Sequence, residues 1–166
     1  MTTSSRPGVG DVDPAAAAEH GERDAWVTLA WWYANPQFGK PDLTAAEQAL
    51  KSAIEAGVAR APFELVKIRW FFKRDTATPN QKKEAYRIVS GIVESDPKQA
   101  EGVYFLALLT MHGFGVAASP EVGFRLQEKA ADLGNADAMF ELYIHYANGL
   151  GVANRFDLAF SGSGIR

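Results

Sequence analysis

The amino-acid sequence predicts an all-α protein, an α/α solenoid of about four antiparallel helix pairs. The main observation is a repeat of amphipathic segments: residues 100–116, AEGVYFLALLTMHGFGV, align without gaps with residues 136–152, ADAMFELYIHYANGLGV. Both segments place apolar residues at helical spacing and end in a Gly-x-Gly turn. A period of 36 residues with a fixed turn is typical of a helical repeat array.

The composition agrees with a single globular domain. Of the 166 residues, 47% are hydrophobic, and none is a cysteine, which excludes disulfides, thiolate metal sites and cysteine nucleophiles. Residues 1–13 form a predicted disordered tail without the apolar core of a secretion signal, and no apolar run is long enough to span a membrane. We therefore expect a cytoplasmic protein without a membrane partner.

The charge is distributed unevenly along the chain. The net charge is −3, but residues 60–98 contain nine basic and five acidic side chains, a balance of +4. Nucleic acid is not expected as a partner, because the chain is acidic overall. A solvated helix surface is the commoner origin of such a basic segment, and an acidic protein partner is the alternative.

Each predicted repeat consists of two helices joined by a turn. The predicted helices cover residues 22–34 and 42–57, residues 61–74 and 80–94, residues 100–112 and 120–134, and residues 136–148 with a second helix from Asn154. The second repeat diverges most, because Arg69 stands where the first and fourth repeats have tyrosine and the turn glycines are missing. The fourth repeat is cut short, since its second helix meets a flexible Ser/Gly tail, residues 161–166, after about two turns. We therefore predict one repeat domain over residues 14–160, which begins with a short helix over residues 15–20.

These features resemble the Sel-1-like repeat, a relative of the tetratricopeptide repeat. The shared pattern is A-x-A-x-x-x-L-x-x-x-Y-x-x-G-x-G-V, followed by a second helix that ends in A-A-x-x-G. Residues 136–152 carry this pattern most fully, residues 100–116 follow, and the first repeat carries it more weakly. The resemblance implies a right-handed superhelix in which the first helices line a concave face and the second helices lie outside.

The resemblance also implies a class of function. Members of this family are mostly adaptors that hold protein partners, and some bacterial members are immunity proteins against secreted toxins. Because a fold alone does not determine a function, the choice rests on particular residues. We expect a non-enzymatic protein-protein interaction module that needs no cofactor.

The sequence offers no recognisable catalytic or metal-binding site. His20, His112 and His145 show no metal-ligand or acid/base spacing, so a structural or solvated role is expected for each. The Gly-x-Gly turns follow helices and lack the lysine of a phosphate-binding loop, so turn formation explains them better. Glu64 and Glu141 recur at equivalent repeat positions, which indicates a packing or capping role. We therefore predict no catalytic residue.

Adjacent aromatic residues distinguish the first helices of repeats one and two. They are WWY at residues 31–33 and WFF at residues 70–72. Neighbours along a helix are about 100° apart, so three adjacent aromatic side chains cannot all face one core. We predict that Trp31 and Trp70 point into the concave groove, where tryptophan often anchors a partner. The competing interpretation is burial of both against a neighbouring second helix.

Basic residues of the second repeat complete the predicted partner site. Lys67 and Arg74 share one stripe of their helix at i, i+7, and Arg69 shares another stripe with Lys73 at i, i+4. The expected partner is another protein, either an acidic or extended segment or a toxin domain. The predicted partner-binding residues are Trp31, Trp70, Lys67, Arg69 and Arg74.

Two other functions fit the same sequence. A small-ligand binder or an enzyme would use the same groove, although no nucleophile and base stand at a recognisable spacing. A self-associating structural array would use the last repeat. Its apolar face, which includes Leu142 and Phe160, lacks the polar cap that end repeats normally need.

Overall fold

The structure, a computed structural model, describes residues 23–149, and every regular element in this range is helical. Its α-helices are α1 (Ala25–Ala34), α2 (Leu43–Glu55), α3 (Ala61–Lys73), α4 (Pro79–Ser95), α5 (Ala100–His112), α6 (Pro120–Asp132) and α7 (Ala136–Ala147), with a 3-10 helix at Pro36–Phe38. The all-α prediction is therefore confirmed, and each of these helices was predicted from the sequence. Within the described range, no helix combines the length and the apolar character needed to cross a membrane.

Several predicted features lie outside the described residues. They are the two tails, the short helix over residues 15–20, His20, Gly151 and the second helix of the fourth repeat with Phe160.

The chain divides into two compact units, Met1–Ile88 and Val89–Arg166. In the first unit, α2 packs against both α1 and α3, and α1 also contacts α3. In the second unit, α6 packs against both α5 and α7. Helix α4 contributes its residues up to Ile88 to the first unit and its remaining residues to the second.

The same backbone hydrogen bond closes the helix pairs α1/α2 and α5/α6. The N–H of Asp42, just before α2, donates to the carbonyl of Tyr33 at the end of α1 over 2.9 Å. The N–H of Ser119, just before α6, donates to the carbonyl of Thr110 near the end of α5, also over 2.9 Å. The start of each second helix thus returns to the end of its first helix. Both pairs are antiparallel, as predicted.

Side-chain caps fix where second helices begin. The carboxylate of Asp42 accepts the N–H of Ala45 over 2.9 Å and so caps the start of α2. Before α4, Thr78 and Gln81 exchange two hydrogen bonds: each backbone N–H donates to the other residue's side-chain oxygen, over 2.9 and 3.2 Å. These bonds satisfy donors that the first turn of a helix leaves without an intrahelical partner.

The predicted glycine turns have the backbone conformation that favours glycine. Gly113 ends α5 with a φ of 70°, and Gly149 follows α7 with a φ of 73°. After Gly113, the N–H of Phe114 donates to the carbonyl of Leu109 over 2.8 Å, and the Phe114 ring is buried. The turn thereby satisfies a carbonyl at the helix end and adds a ring to the core.

Small residues allow the paired helices to approach closely. On α2, Ala46, Ala49 and Ala53 are buried in the core of the first unit. In the second unit, a methyl group placed on Gly123 of α6 would lie 2.6 Å from Cβ of Met111 on α5 and 2.9 Å from its backbone nitrogen. A backbone atom cannot rotate away as a flexible side chain can, so the pair α5/α6 requires glycine at this position.

We expect Gly123→Ala to destabilise the protein by about 1–3 kcal/mol, because α5 and α6 must separate to accept the methyl group. Gly91→Ala on α4 is the matched control, since no atom lies within 4 Å of a methyl group there. This control should be neutral or stabilising by up to about 1 kcal/mol, as alanine favours the helix. Urea unfolding followed by circular dichroism measures both free energies. Equal effects of the two changes would contradict the close approach.

Candidate functional site

Arg69, a predicted partner-binding residue, lies in the interior with only 2% of its surface exposed. Its Nε lies 3.4 Å from Oε1 of Glu47 on α2, and its Nη1 lies 2.7 Å from Oε2 of Glu84 on α4. The same Nη1 donates to the carbonyl of Gln81 over 3.3 Å. Arg69 thus joins the second repeat's two helices to α2, in a position where the first and fourth repeats have a tyrosine.

Glu47 is the second buried member of this ion cluster. Its carboxylate accepts hydrogen bonds from Nζ of Lys73 over 2.9 Å and from Nε2 of Gln81 over 3.4 Å. Burial on its own would raise the pKa of Glu47. The hydrogen bond from Lys73 and the positive charges of Arg69 and Lys73 outweigh burial and hold this pKa below its usual range.

The structure therefore differs from the predicted groove at Arg69 and at Trp70. The Trp70 side chain is also buried, with the guanidinium of Arg74 4.8 Å from the centre of its ring. The aromatic residue of this trio that points outward is Phe71, which is 58% exposed. Arg69 and Trp70 are buried because a large part of the α3 surface is covered. Helix α3 packs against α2, and its Arg69 pairs with the carboxylates of Glu47 and Glu84. For Trp70, the competing interpretation of burial is the one observed.

The side chain of Trp31, a residue of α1, lies against α3. Its indole N–H donates to Oε2 of Glu64 over 2.7 Å, and its ring meets the ring of Phe72 edge to face at 6.1 Å. The side chain is partly buried, so part of the indole surface reaches the solvent. Trp31 thus contacts the next repeat's first helix, and it also packs against the core of the first unit.

Glu64 connects Trp31 to Lys67. The ammonium of Lys67 lies 3.3 Å from Oε1 of Glu64 and 4.8 Å from the centre of the Phe63 ring. One carboxylate therefore positions an aromatic side chain from α1 and a cation from α3. Three of the five predicted site residues, Trp31, Lys67 and Arg74, remain at the surface or at its margin.

Lys67, Phe71 and Arg74 follow one another at i, i+4 and i+7, which places them in one row along α3. We call this row the α3 stripe. Sequence reasoning identified its two cations but missed Phe71, because three consecutive aromatic residues give no signal of which one faces out. With Trp31 beside it through Glu64, the stripe places the exposed ring of Phe71 between Arg74, which is exposed, and Lys67, whose side chain is 15% exposed.

Glu141 in the second unit repeats the bridging role of Glu64. It accepts the hydroxyl of Tyr104 on α5 over 2.8 Å, and it also accepts the side-chain amide of Gln127. Burial, together with the hydrogen bond to Glu141, raises the pKa of Tyr104 above its usual range. Both glutamates thus accept a hydrogen bond from an aromatic residue of the preceding first helix, in agreement with the packing role predicted for them.

Of the two described histidines, His145 is partly buried and His112 is exposed. The His145 ring packs edge to face against the ring of Phe124 at 6.1 Å, and His112 lies in the last turn of α5. Within residues 23–149, no group of three or more histidine, aspartate or glutamate side chains is placed to hold a metal ion.

We expect Glu47→Gln to lower the free energy of unfolding by about 3 kcal/mol, because it leaves the buried Arg69 with less compensating charge. Glu55→Gln, an exposed position on the same helix, is the matched control, with an expected change below about 0.5 kcal/mol. Urea unfolding at neutral pH measures both values. A loss no larger than that of the control would contradict the stabilising role of this cluster.

The lowered pKa of Glu47 also sets the sign of a pH dependence. A carboxyl group whose pKa is lower in the folded protein stabilises it above the unfolded pKa, about 4.3, and loses this contribution as the pH falls through the folded pKa. The stability difference between the wild type and Glu47→Gln should therefore stay constant near neutral pH and shrink below about pH 4. Urea unfolding over a pH series tests this; a difference that grows on acidification would contradict it.

The chain was compared with known protein families, curated proteins and solved structures. No family model matches it, and no curated protein matches it. It is similar to the crystal structure of a Sel1 repeat protein from Oxalobacter formigenes, with 21% sequence identity and a TM-score of 0.49 over 79% of this chain and 95% of that chain. This likeness concerns the fold alone, so a function must be inferred from the chain's own residues.

Proposed function

We propose that the protein is a non-enzymatic protein-protein interaction module. In this proposal, Trp31 and the α3 stripe of the first unit bind an acidic, extended segment of a partner protein. The observation that carries the proposal is Phe71, a large aromatic side chain that is 58% exposed between the cations Lys67 and Arg74. Exposed aromatic residues flanked by arginine are typical of binding surfaces.

The geometry of the stripe suggests how such a segment would bind. Carboxylates of the partner would pair with Lys67 and Arg74, one near each end of the stripe, and an apolar side chain between them would cover the Phe71 ring. The guanidinium of Arg74 is held over the Trp70 ring at 4.8 Å, so part of its conformational freedom is already lost before binding.

The expected free energies show which of these contacts should contribute most to the affinity. An exposed ion pair contributes about 0.2–1 kcal/mol, whereas burial of an aromatic side chain contributes about 1.5–3 kcal/mol. Phe71 should therefore provide most of the affinity, and the two cations should mainly select for negative charge. The affinity of one such segment should be modest and should fall with rising salt.

A specific form of this function is a cytoplasmic immunity protein that neutralises a cognate toxin, as the resemblance to the Sel-1-like repeat implies. The toxin gene would then stand next to the gene of this protein. Co-expression of the neighbouring reading frame with this protein tests that form, because protection from toxicity should depend on Phe71 and Arg74. Unprotected cells would exclude that toxin as the partner.

We expect a random peptide library, selected against the purified protein, to yield peptides that combine acidic with apolar residues. Phe71→Ala should weaken the selected peptides by about tenfold or more, because it removes the main apolar contact. Arg74→Glu should weaken them and also reduce the salt dependence of binding. Isothermal titration calorimetry at two salt concentrations measures both effects.

The matched control is Arg87→Glu, which reverses an exposed arginine on α4 of the same unit. It should leave the affinity of the selected peptides nearly unchanged. Thermal unfolding of each variant checks that the fold is kept. Selected peptides without acidic residues, or equal losses from Arg74→Glu and Arg87→Glu, would contradict the proposed surface.

A further inference from the structure

Helix α7 exposes an apolar face of large side chains. Met139 is 49% exposed, Phe140 64%, Tyr143 69% and Ile144 40%. These positions follow at i, i+1, i+4 and i+5, so they lie together on one side of the helix. The opposite side carries Ala138 and Leu142, which are buried in the second unit.

At two of these four positions, the equivalent side chains are buried in every earlier repeat. At the position of Phe140, the first three repeats have side chains that are at most 7% exposed: Val27, Phe63 and Tyr104. At the position of Tyr143, they have side chains that are at most 1% exposed: Ala30, Val66 and Ala107. In the earlier repeats, other parts of the protein therefore cover these two positions. The fourth repeat has large apolar residues there.

The arrangement of this face is symmetric along the helix. The exposed Ala136 and Ala147 extend it by a small residue at each end. Reversal of the helix about the midpoint between residues 141 and 142 exchanges Ala136 with Ala147, and the same reversal exchanges residue 139 with 144 and residue 140 with 143. Each exchanged pair matches in size: alanine with alanine, methionine with isoleucine, phenylalanine with tyrosine.

We propose that this face is a homodimer interface, in which α7 packs antiparallel against α7 of a second copy across a two-fold axis. Phe140 then packs against Tyr143 of the second copy, and Met139 packs against Ile144 of the second copy. The alanines at the two ends let the helices approach closely. A two-fold interface must be complementary to itself, and none of the six positions carries a charge that would meet a like charge across the axis.

The size of the face predicts a weak dimer. With full side-chain areas of about 150–250 Å², the exposed fractions of the four large residues correspond to on the order of 400 Å² per copy. A pair of such faces lies at the low end of specific interfaces. The dimer should therefore form in a concentration-dependent equilibrium, independent of the partner surface proposed on the first unit.

Sedimentation velocity of the whole chain over a range of concentrations is the first test. The wild type should shift from monomer to dimer, and Phe140→Lys should remain monomeric at the highest concentration. Phe71→Lys is the matched control, because Phe71 has a similar exposure of 58% but lies in the first unit. This control should dimerise as the wild type does, and thermal unfolding should show that both variants fold.

The register is tested by cross-linking, for which the absence of native cysteine is an advantage. An antiparallel dimer brings residue 136 of one copy to residue 147 of the other. A mixture of Ala136→Cys and Ala147→Cys should therefore form a disulfide-linked dimer on oxidation, and each variant alone should form far less. Cross-linking of each variant with itself would indicate a parallel arrangement and overturn the proposal.

Two further outcomes would also overturn it. A wild type that stays monomeric at every concentration would leave residues 150–166 or a different protein as the cover of this face. A dimer that Phe140→Lys leaves intact would place the interface elsewhere on the chain. Neither outcome bears on peptide binding by the α3 stripe, which the variants of Phe71 and Arg74 test separately.

Discussion

The close approach of the first helix to the second helix in the pairs α1/α2 and α5/α6 is the constraint on which the rest of this structure depends. Alanines on α2 and Gly123 on α6 remove side-chain volume where the helices meet, and in both pairs a backbone hydrogen bond returns the second helix to the end of the first. Once a pair is fixed, its first helix can reach the next repeat. At these contacts Glu64 and Glu141 accept hydrogen bonds from Trp31 and Tyr104.

The helices and their order could be predicted from the sequence because their signals are local. Apolar spacing, the cap at Asp42 and the glycine turns each depend on residues within one or two helical turns of each other. The residues of the exposed row on α3 were harder to predict from the sequence. Lys67 and Arg74 were placed correctly on one stripe, but Phe71 could not be chosen over Trp70, since an all-apolar trio gives no direction.

Arg69 shows why the remaining part of the site could not be predicted. Its carboxylate partners lie 22 and 15 residues away in the sequence, on two different helices. An arginine in a basic segment therefore resembles a surface residue until α2 and α4 are assembled around it. The one available hint was its place in the repeat, where the first and fourth repeats have a tyrosine. A charged residue at a scaffold position indicates a buried partner as readily as an external ligand.

The contact between Glu64 and Lys67 has a consequence for selectivity. Before any partner arrives, Lys67 already has a carboxylate 3.3 Å away, and that carboxylate is also fixed by Trp31. Glu64 is therefore an internal competitor for any acidic group that approaches Lys67. A ligand with a single carboxylate would only exchange one ion pair for another, whereas a segment that also covers Phe71 and reaches Arg74 gains contacts that Glu64 cannot supply. On the proposed surface, a small anion would therefore gain little, and a chain that spans the α3 stripe would gain more.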